Sequence, residues 1–373
     1  MPGLLKRRDF LRGAGSALGT SVGCLALGRH AFAASDEAIA PPVIDRLRVR
    51  VVMDTGHDLF ISGDPHPMVG IERVRVLVNP THMTLGGEWG LSLHLESTRG
   101  SEAHRYMLDF GYTPEVLTRN FELLDIDPAL IDGLILSHGH LDHYGGLVGF
   151  LGKYRERMRP ELKLFAGGET NFCYSYVKAP GTDQPVPFSV LDRRALAAAK
   201  VETVLCETPH VVADAFTSGH IGRTSFERVL PNTLVEAGAH DGAGCRADHF
   251  TEAERQGRIV ADQHWDEHAT CFVVRDRGLV VITSCGHAGL INTLETAMRV
   301  SGIKKLHAVI GGFHLAPAPK DYVAQAVGEL KTFDPDVVIP MHCSGANFIE
   351  AMRRDMPDKL VLSTGGSRFT FGA

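Results

Sequence analysis
The sequence predicts a layered α/β fold, with mixed β-sheets and helices packed outside them. Three observations predict it. The first half is rich in short apolar runs with helical segments interleaved. The second half repeats strand then helix towards the C-terminus. Between them, one apolar run ends in a loop carrying three histidines and an aspartate, Ser137-His138-Gly139-His140-Leu141-Asp142-His143. Short apolar runs bounded by turn residues read as strands, and strands alternating with helices indicate sheets covered by helices.

Residues 35–45 form a proline-containing lead-in. The alternating run Leu47 to Met53 predicts a strand, as do Val74 to Val78 and Leu91 to Leu95. Tyr106 to Asp109 is another, closing on Phe110-Gly111. A helix starts at Tyr112 or Thr113, with Pro114 and Glu115 in its first turn, and runs to about Leu124. The apolar run Ile131 to Leu136 leads into the histidine loop, and a helix follows from about Gly146 to Tyr154. Three prolines make Pro180 to Phe188 a loop, and Val201 to Cys206 and Ala215 to Ser218 read as strands. Residues 240–268 are polar and resemble an inserted loop or lid; their histidines His240, His249, His264 and His268 lack tight ligand spacing and read as solvated. Cys271 to Val274 and Leu279 to Thr283 form a hairpin around Asp276-Arg277-Gly278. Ala288 to Val300, Asp321 to Phe333 and Asn347 to Met356 are helices, and His307 to Ile310, Val337 to Ile339 and Leu360 to Leu362 are strands.

The first residues have the order of an export signal. Lys6-Arg7-Arg8-Asp9-Phe10-Leu11-Arg12 resembles a twin-arginine signal, a Gly/Ala-rich apolar run follows from Gly13 to Leu27, and Ala31-Phe32-Ala33 suits signal peptidase. Residues 1–33 are therefore expected to be removed by the twin-arginine export route, leaving one domain over residues 34–373 in the periplasm. Ser21 stands three residues before Cys24, which does not fit a lipoprotein site. Removing residues 1–33 takes five basic residues and one acid from the 38 and 44 of the chain, leaving a net charge of −10. Such a surface argues against a nucleic-acid partner. No later segment is apolar enough to span a bilayer, so no transmembrane anchor is expected after cleavage. Six cysteines remain: Cys173, Cys206, Cys245, Cys271, Cys285 and Cys343. An even count permits disulfides in an oxidising compartment. Cys285 and Cys343 lie in histidine-containing motifs, and pairing among the other four is open.

Imidazole and carboxylate side chains at this spacing suit zinc, iron or manganese. His138 and His140 alternate and can share one ion. Asp142 and His143 turn the corner and can serve a second.

His138-x-His140-x-Asp142-His143 resembles the signature of the metallo-β-lactamase superfamily. Glu88-Trp89-Gly90-Leu91-Ser92, Leu108-Asp109-Phe110-Gly111, Thr283-Ser284-Cys285-Gly286-His287, Gly311-Gly312-Phe313-His314 and Pro340-Met341-His342-Cys343 are similar to the branch of dihydropterin–ribofuranosylaminobenzene-phosphate synthase-like proteins. The resemblance spans about residues 46 to 370. It implies an αββα sandwich of two mixed sheets with outer helices, holding two divalent ions, zinc first and iron or manganese as alternatives. The first ion would take His138, His140 and a later histidine, for which Phe216-Thr217-Ser218-Gly219-His220 offers His220. The branch commonly carries Glu there, and this chain reads His220-Ile221-Gly222-Arg223. The second would take Asp142, His143 and His342, with His314 as competitor for metal or substrate. Cys285 or His287 would fill the bridging position. Asp109 would support a ligand histidine from behind. Arg223 and Lys178 are possible anion contacts.

The implied chemistry is hydrolysis of an ester, lactone or phosphoester-type small molecule by a metal-bridging hydroxide, with Asp142 as the catalytic acid or base. A synthase that joins a pterin diphosphate to a phosphorylated ribosyl aminobenzene is the alternative. A β-lactamase, a di-iron redox protein and a non-catalytic metal-binding protein rank lower.

Overall fold
The computed structural model describes residues 38–61, 65–74, 83–230, 232–240, 242–246, 250–256 and 258–373. The export signal assigned to residues 1–33, His249 and all but Val74 of the run Val74 to Val78 lie outside them.

Among the described residues, two large sheets carry the fold. The first has eight strands in the spatial order Glu202–Leu205, Lys163–Ala166, Gly133–Leu136, Glu102–Leu108, Ser92–Arg99, Arg46–Met53, Arg368–Gly372 and Gly70–Glu72. The second has seven: His210–Val212, Ala215–Thr217, Thr270–Val274, Gly278–Thr283, Leu306–Gly311 and Val337–Pro340 in order, with Val43–Ile44 beside Thr270–Val274. Both mix parallel and antiparallel pairs; Gly278–Thr283, Leu306–Gly311 and Val337–Pro340 are parallel neighbours.

The near-continuous apolar strands of the sequence have a direct cause, because each face of each sheet is covered. Val280, Ile282, Ala308, Ile310, Val337 and Ile339 point inward and pack with Val49, Leu93, Leu95, Leu108 and Ile135 of the first sheet. The alternate residues Leu279, Val281, Val309 and Val338 point outward against helices Leu290–Ser301, Lys320–Thr332 and Ala346–Asp355. On the far side, Leu134, Leu136, Leu164 and Ala166 pack under helices Pro114–Leu123 and Leu147–Tyr154. Helix, sheet, sheet, helix is the αββα sandwich that the resemblance implies.

Two elements differ from the sequence reading. The proline-rich run contains a strand, Pro185–Ser189, because it lies at the edge of a four-stranded sheet with Tyr174–Lys178, Leu234–Glu236 and Ile259–Ala261. An edge strand needs only some of its N–H groups, so proline is tolerated there. The run Leu360 to Leu362 makes a single bridge, Leu360 to Val338, and the last strand is Arg368–Gly372, paired with Arg46–Met53.

Candidate metal centre
The second strand of the parallel set in the first sheet, Gly133–Leu136, ends where the histidine loop begins. Gly139 lets that loop dock, because a Cβ there would lie 2.6 Å from Asn171 Cα. Gly90, at φ 147°, passes the loop just as closely, with its missing Cβ 2.6 Å from Asp142 O. From the second sheet, the strand ends after Thr283, Gly311 and Pro340 deliver Cys285 and His287, His314, and His342 to the same place.

Among the described residues, five overlapping groups bring ligand atoms within 4.8 Å of one another: His138, His140 and His287; His138, His143 and Cys285; Asp142, His143 and His342; Cys285, His314 and Cys343; and His140, Asp262 and His264. The imidazoles crowd, with ring centroids 4.2 Å apart for His138 and His143, 4.7 Å for His140 and His287, and 5.0 Å for His143 and His342.

Hydrogen bonds behind the cluster fix which nitrogens face it. Asp109, fully buried and at φ 58°, accepts from Ser137 N at 2.8 Å, from Ser137 Oγ at 2.7 Å and from His143 Nδ1 at 2.7 Å. Ser137 Oγ spends its proton on Asp109, so its contact with His138 Nδ1 at 3.0 Å makes that nitrogen the donor. Nε2 is thereby the nitrogen that His138 and His143 each turn to the cluster. Both Nε2 atoms are buried without a hydrogen-bond partner, as are Nε2 of His287 and His314 and both ring nitrogens of His342. A buried polar atom left unpaired costs about 1–3 kcal/mol, so a set of converging imidazole lone pairs with a carboxylate and a thiol fits divalent cations.

Glu267 shapes the loop that carries Cys285 and His287. Its buried carboxylate accepts from the backbone amides of Gly286 at 2.8 Å, His287 at 3.0 Å and Ala288 at 2.6 Å. His342 N donates to Asp54 Oδ1 at 3.0 Å, and the ring lies 5.0 Å from Trp89, which is 54% exposed.

Burial lowers His138, His264 and His287 well below the ordinary imidazole value, and His140 to about 3. Burial acts the same way on His143, but Asp142 and Asp109 overcome it and raise that ring to about 9. Burial opposes ionisation of Asp142 too, yet His143 and His342 hold its carboxyl below the usual range. Asp142 Oδ2 is 3.3 Å from His342 Nε2 and 3.8 Å from His143 Nε2.

Several expected residues stand elsewhere. His220 gives Nε2 to Asp266 Oδ1 at 2.7 Å, and Asp266 also binds Thr170 N and Oγ1. His220 is absent from the five groups, and His287 completes the His138–His140 set. Arg223 bonds the carbonyls of Gln263 and His264 and lies over the Trp265 ring at 4.8 Å, so it braces that segment rather than offering a free cation. Lys178 pairs with Asp183 at the surface. The solvated reading of the 240–268 histidines is corrected at two positions. His268 is buried and bonds Leu136 O at 2.8 Å. His264 is buried at the centre, stacked on His287 at 3.9 Å, with Nδ1 3.5 Å from Asp262 Oδ2. Sequence reasoning missed Asp262, Glu267, Trp89, Asn232, whose Nδ2 lies 2.9 Å from His264 Nε2 and from His287 Nδ1, and Thr233, whose Oγ1 is 2.7 Å from His140 Nε2. The close pair Asp262 and His264 was a local signal that could have been weighed.

Residues 100–205 match the profile of the metallo-beta-lactamase superfamily. Over that segment the chain is similar to the superfamily, and its fold is that of metallo-beta-lactamase proteins. It is 27% identical over 274 residues to the 7,8-dihydropterin-6-methyl-4-(beta-D-ribofuranosyl)-aminobenzene-5'-phosphate synthase of Methanocaldococcus jannaschii, covering 71% of this chain and 85% of that one. An uncharacterized protein of the same organism is 26% identical over 280 residues, 73% of this chain and 90% of the relative. The solved structure of Tm1679, a metal-dependent hydrolase of the beta-lactamase superfamily, superposes with a TM-score of 0.61 at 20% identity, over 86% of this chain and 98% of that one.

Proposed function
We propose that the protein is an exported, dinuclear metal-dependent hydrolase of ester, lactone or phosphoester-type small molecules. The observation that carries this is the pair of adjoining ligand groups, in which Nε2 of His138, His143 and His287 is buried and unpaired. His138, His140 and His287 would hold one divalent ion, and Asp142, His143 and His342 the other, with Cys285 between them. His287 takes the role first expected of His220. Nitrogen, oxygen and sulfur donors together favour zinc. Ions held there would supply Lewis-acid chemistry towards water and a scissile carbonyl or phosphoryl oxygen. Asp142, ionised and beside His342 and His143, would accept the proton released in the attack and return it to the leaving group. Trp89, exposed over His342, would cover one face of the substrate.

The Cys173–Cys245 disulfide supports export, since such bonds persist in oxidising compartments. Among the described residues no helix is long and apolar enough to cross a membrane. The likeness to the synthase favours a second reading, a metal-dependent transferase or synthase of that phosphorylated ribosyl-aminobenzene type.

The test is product analysis by mass spectrometry on lactones, phosphodiesters and β-lactams, with wild type and Asp142→Ala. Hydrolysis by wild type that Asp142→Ala loses by about 100-fold or more supports the hydrolase. No hydrolysis of any class, with a joined product instead, selects the synthase. In cells, Arg7→Lys with Arg8→Lys should keep the protein in the cytoplasm, and unchanged periplasmic recovery would overturn the twin-arginine route.

A further inference from the structure
Cys285 and Cys343 meet over the end of the strand that separates their own. The order Gly278–Thr283, Leu306–Gly311, Val337–Pro340 sets their parent strands two apart, yet the Sγ atoms are 3.2 Å from each other. Gly312 makes room for this, since a Cβ there would lie 2.9 Å from Cys343 Sγ. The two thiols face different ways. Cys285 looks into the metal centre, within ligand range of His138 and His143. Cys343 sits behind it, with Sγ accepting from His314 N at 3.2 Å, reaching Cys285 O at 3.4 Å and lying within ligand range of His314. The other free thiols among the described residues are held apart, Cys206 in the core between the sheets and Cys271 on a strand, facing the outer helices. Among the described residues, only Cys285 and Cys343 of the free cysteines need a small movement to bond.

We propose that Cys285 and Cys343 form a redox-modification site, which a small peroxide closes into a disulfide that withdraws Cys285 from the metal centre. The Cys285 sulfur attacks one peroxide oxygen and the O–O bond breaks; Cys285 becomes the sulfenic acid and the other oxygen leaves as water. The Cys343 sulfur then attacks the sulfenic sulfur, the S–O bond breaks, and a second water carries off that oxygen with the Cys343 proton. Two thiols are oxidised and one peroxide is reduced to two waters. A cation held by Cys285 occupies the attacking lone pair, so metal-loaded protein resists the reaction. That protection rests on the proposed metal centre, whereas closure of the bond does not.

The experiment treats mature metal-free and zinc-loaded protein with equimolar hydrogen peroxide, followed by intact mass and peptide mapping. Metal-free protein should lose about 2 Da, with the peptides of Cys285 and Cys343 linked and released by dithiothreitol. Its zinc capacity should fall with the same time course. Zinc-loaded protein should react at least several-fold more slowly. Cys343→Ser should instead gain about 16 or 32 Da on Cys285, without a link. Oxygen added to Cys285 in the wild type while Cys343 stays free would overturn the proposal. So would a zinc ion held by Cys285, His314 and Cys343 that disappears in Cys343→Ser. A disulfide that forms equally fast with and without zinc would uphold the redox site and count against the metal centre.

Discussion
Asp109 decides which imidazole nitrogens are left for a cation. By holding His143 Nδ1 directly and His138 Nδ1 through Ser137, it leaves both Nε2 atoms facing inward. Removing such a partner frees the ring to turn and lowers its basicity. Asp109→Ala should therefore weaken metal binding about 10- to 100-fold, measured by competition with a chromophoric chelator. Unchanged affinity would show that the rings hold themselves. The histidines at 138, 140 and 143 could be read from the sequence because a strand end and a short loop place them locally. The choice between His220 and His287 could not. It depends on Asp266 capturing one ring and on Glu267 folding the other's loop by three backbone bonds, and both are contacts between distant segments.

The strands that carry the late site residues owe their positions to packing on two faces. Ile310 is fully buried between the sheets, one residue before the strand end that leads to His314. Ile310→Ala should cost about 2–5 kcal/mol in denaturant unfolding, and a loss below about 1 kcal/mol would mean that the inter-sheet layer repacks around the gap. These central strands were legible because burial on both faces leaves an apolar run in the sequence. The edges were not. Pro185–Ser189 is a strand only because its neighbour Tyr174–Lys178 supplies a ladder on one side. Arg368–Gly372 alternates Phe369 and Phe371 inward with Arg368 and Thr370 less buried, a period-two pattern hidden by its shortness and its place at the chain end. His314 and His342 sit at φ 45° and 49°, conformations that cost about 1 kcal/mol or more each, and no local propensity announces them.

The whole molecule stores its site at the expense of acid stability. His138, His140, His264 and His287 are held neutral by burial in the folded protein, while the unfolded chain takes up a proton at each below about 6.5. A depressed folded value means stability lost as pH falls below the unfolded value, here down towards about 3 for His140. Each ring contributes up to about 1.4 kcal/mol per pH unit in that window. His143 runs the other way: its contribution is full below about 6.5 and lost as pH rises through about 9. Asp262 and Glu227, raised to about 7 by burial, act in the same direction as His143. The four rings outnumber them, so urea unfolding of the metal-free protein should give a lower stability at pH 5 than at pH 7. Equal stability at both would mean that the four rings are not sequestered from water.

The most direct test of the dinuclear centre is metal content by mass spectrometry, on mature protein purified without a His tag or chelator, with His287→Ala and His220→Ala beside it. The arrangement of ligands predicts about two zinc per chain in wild type and in His220→Ala, and about one in His287→Ala. One ion or none in the wild type after zinc is added back, or a full complement in His287→Ala with loss in His220→Ala, would contradict it.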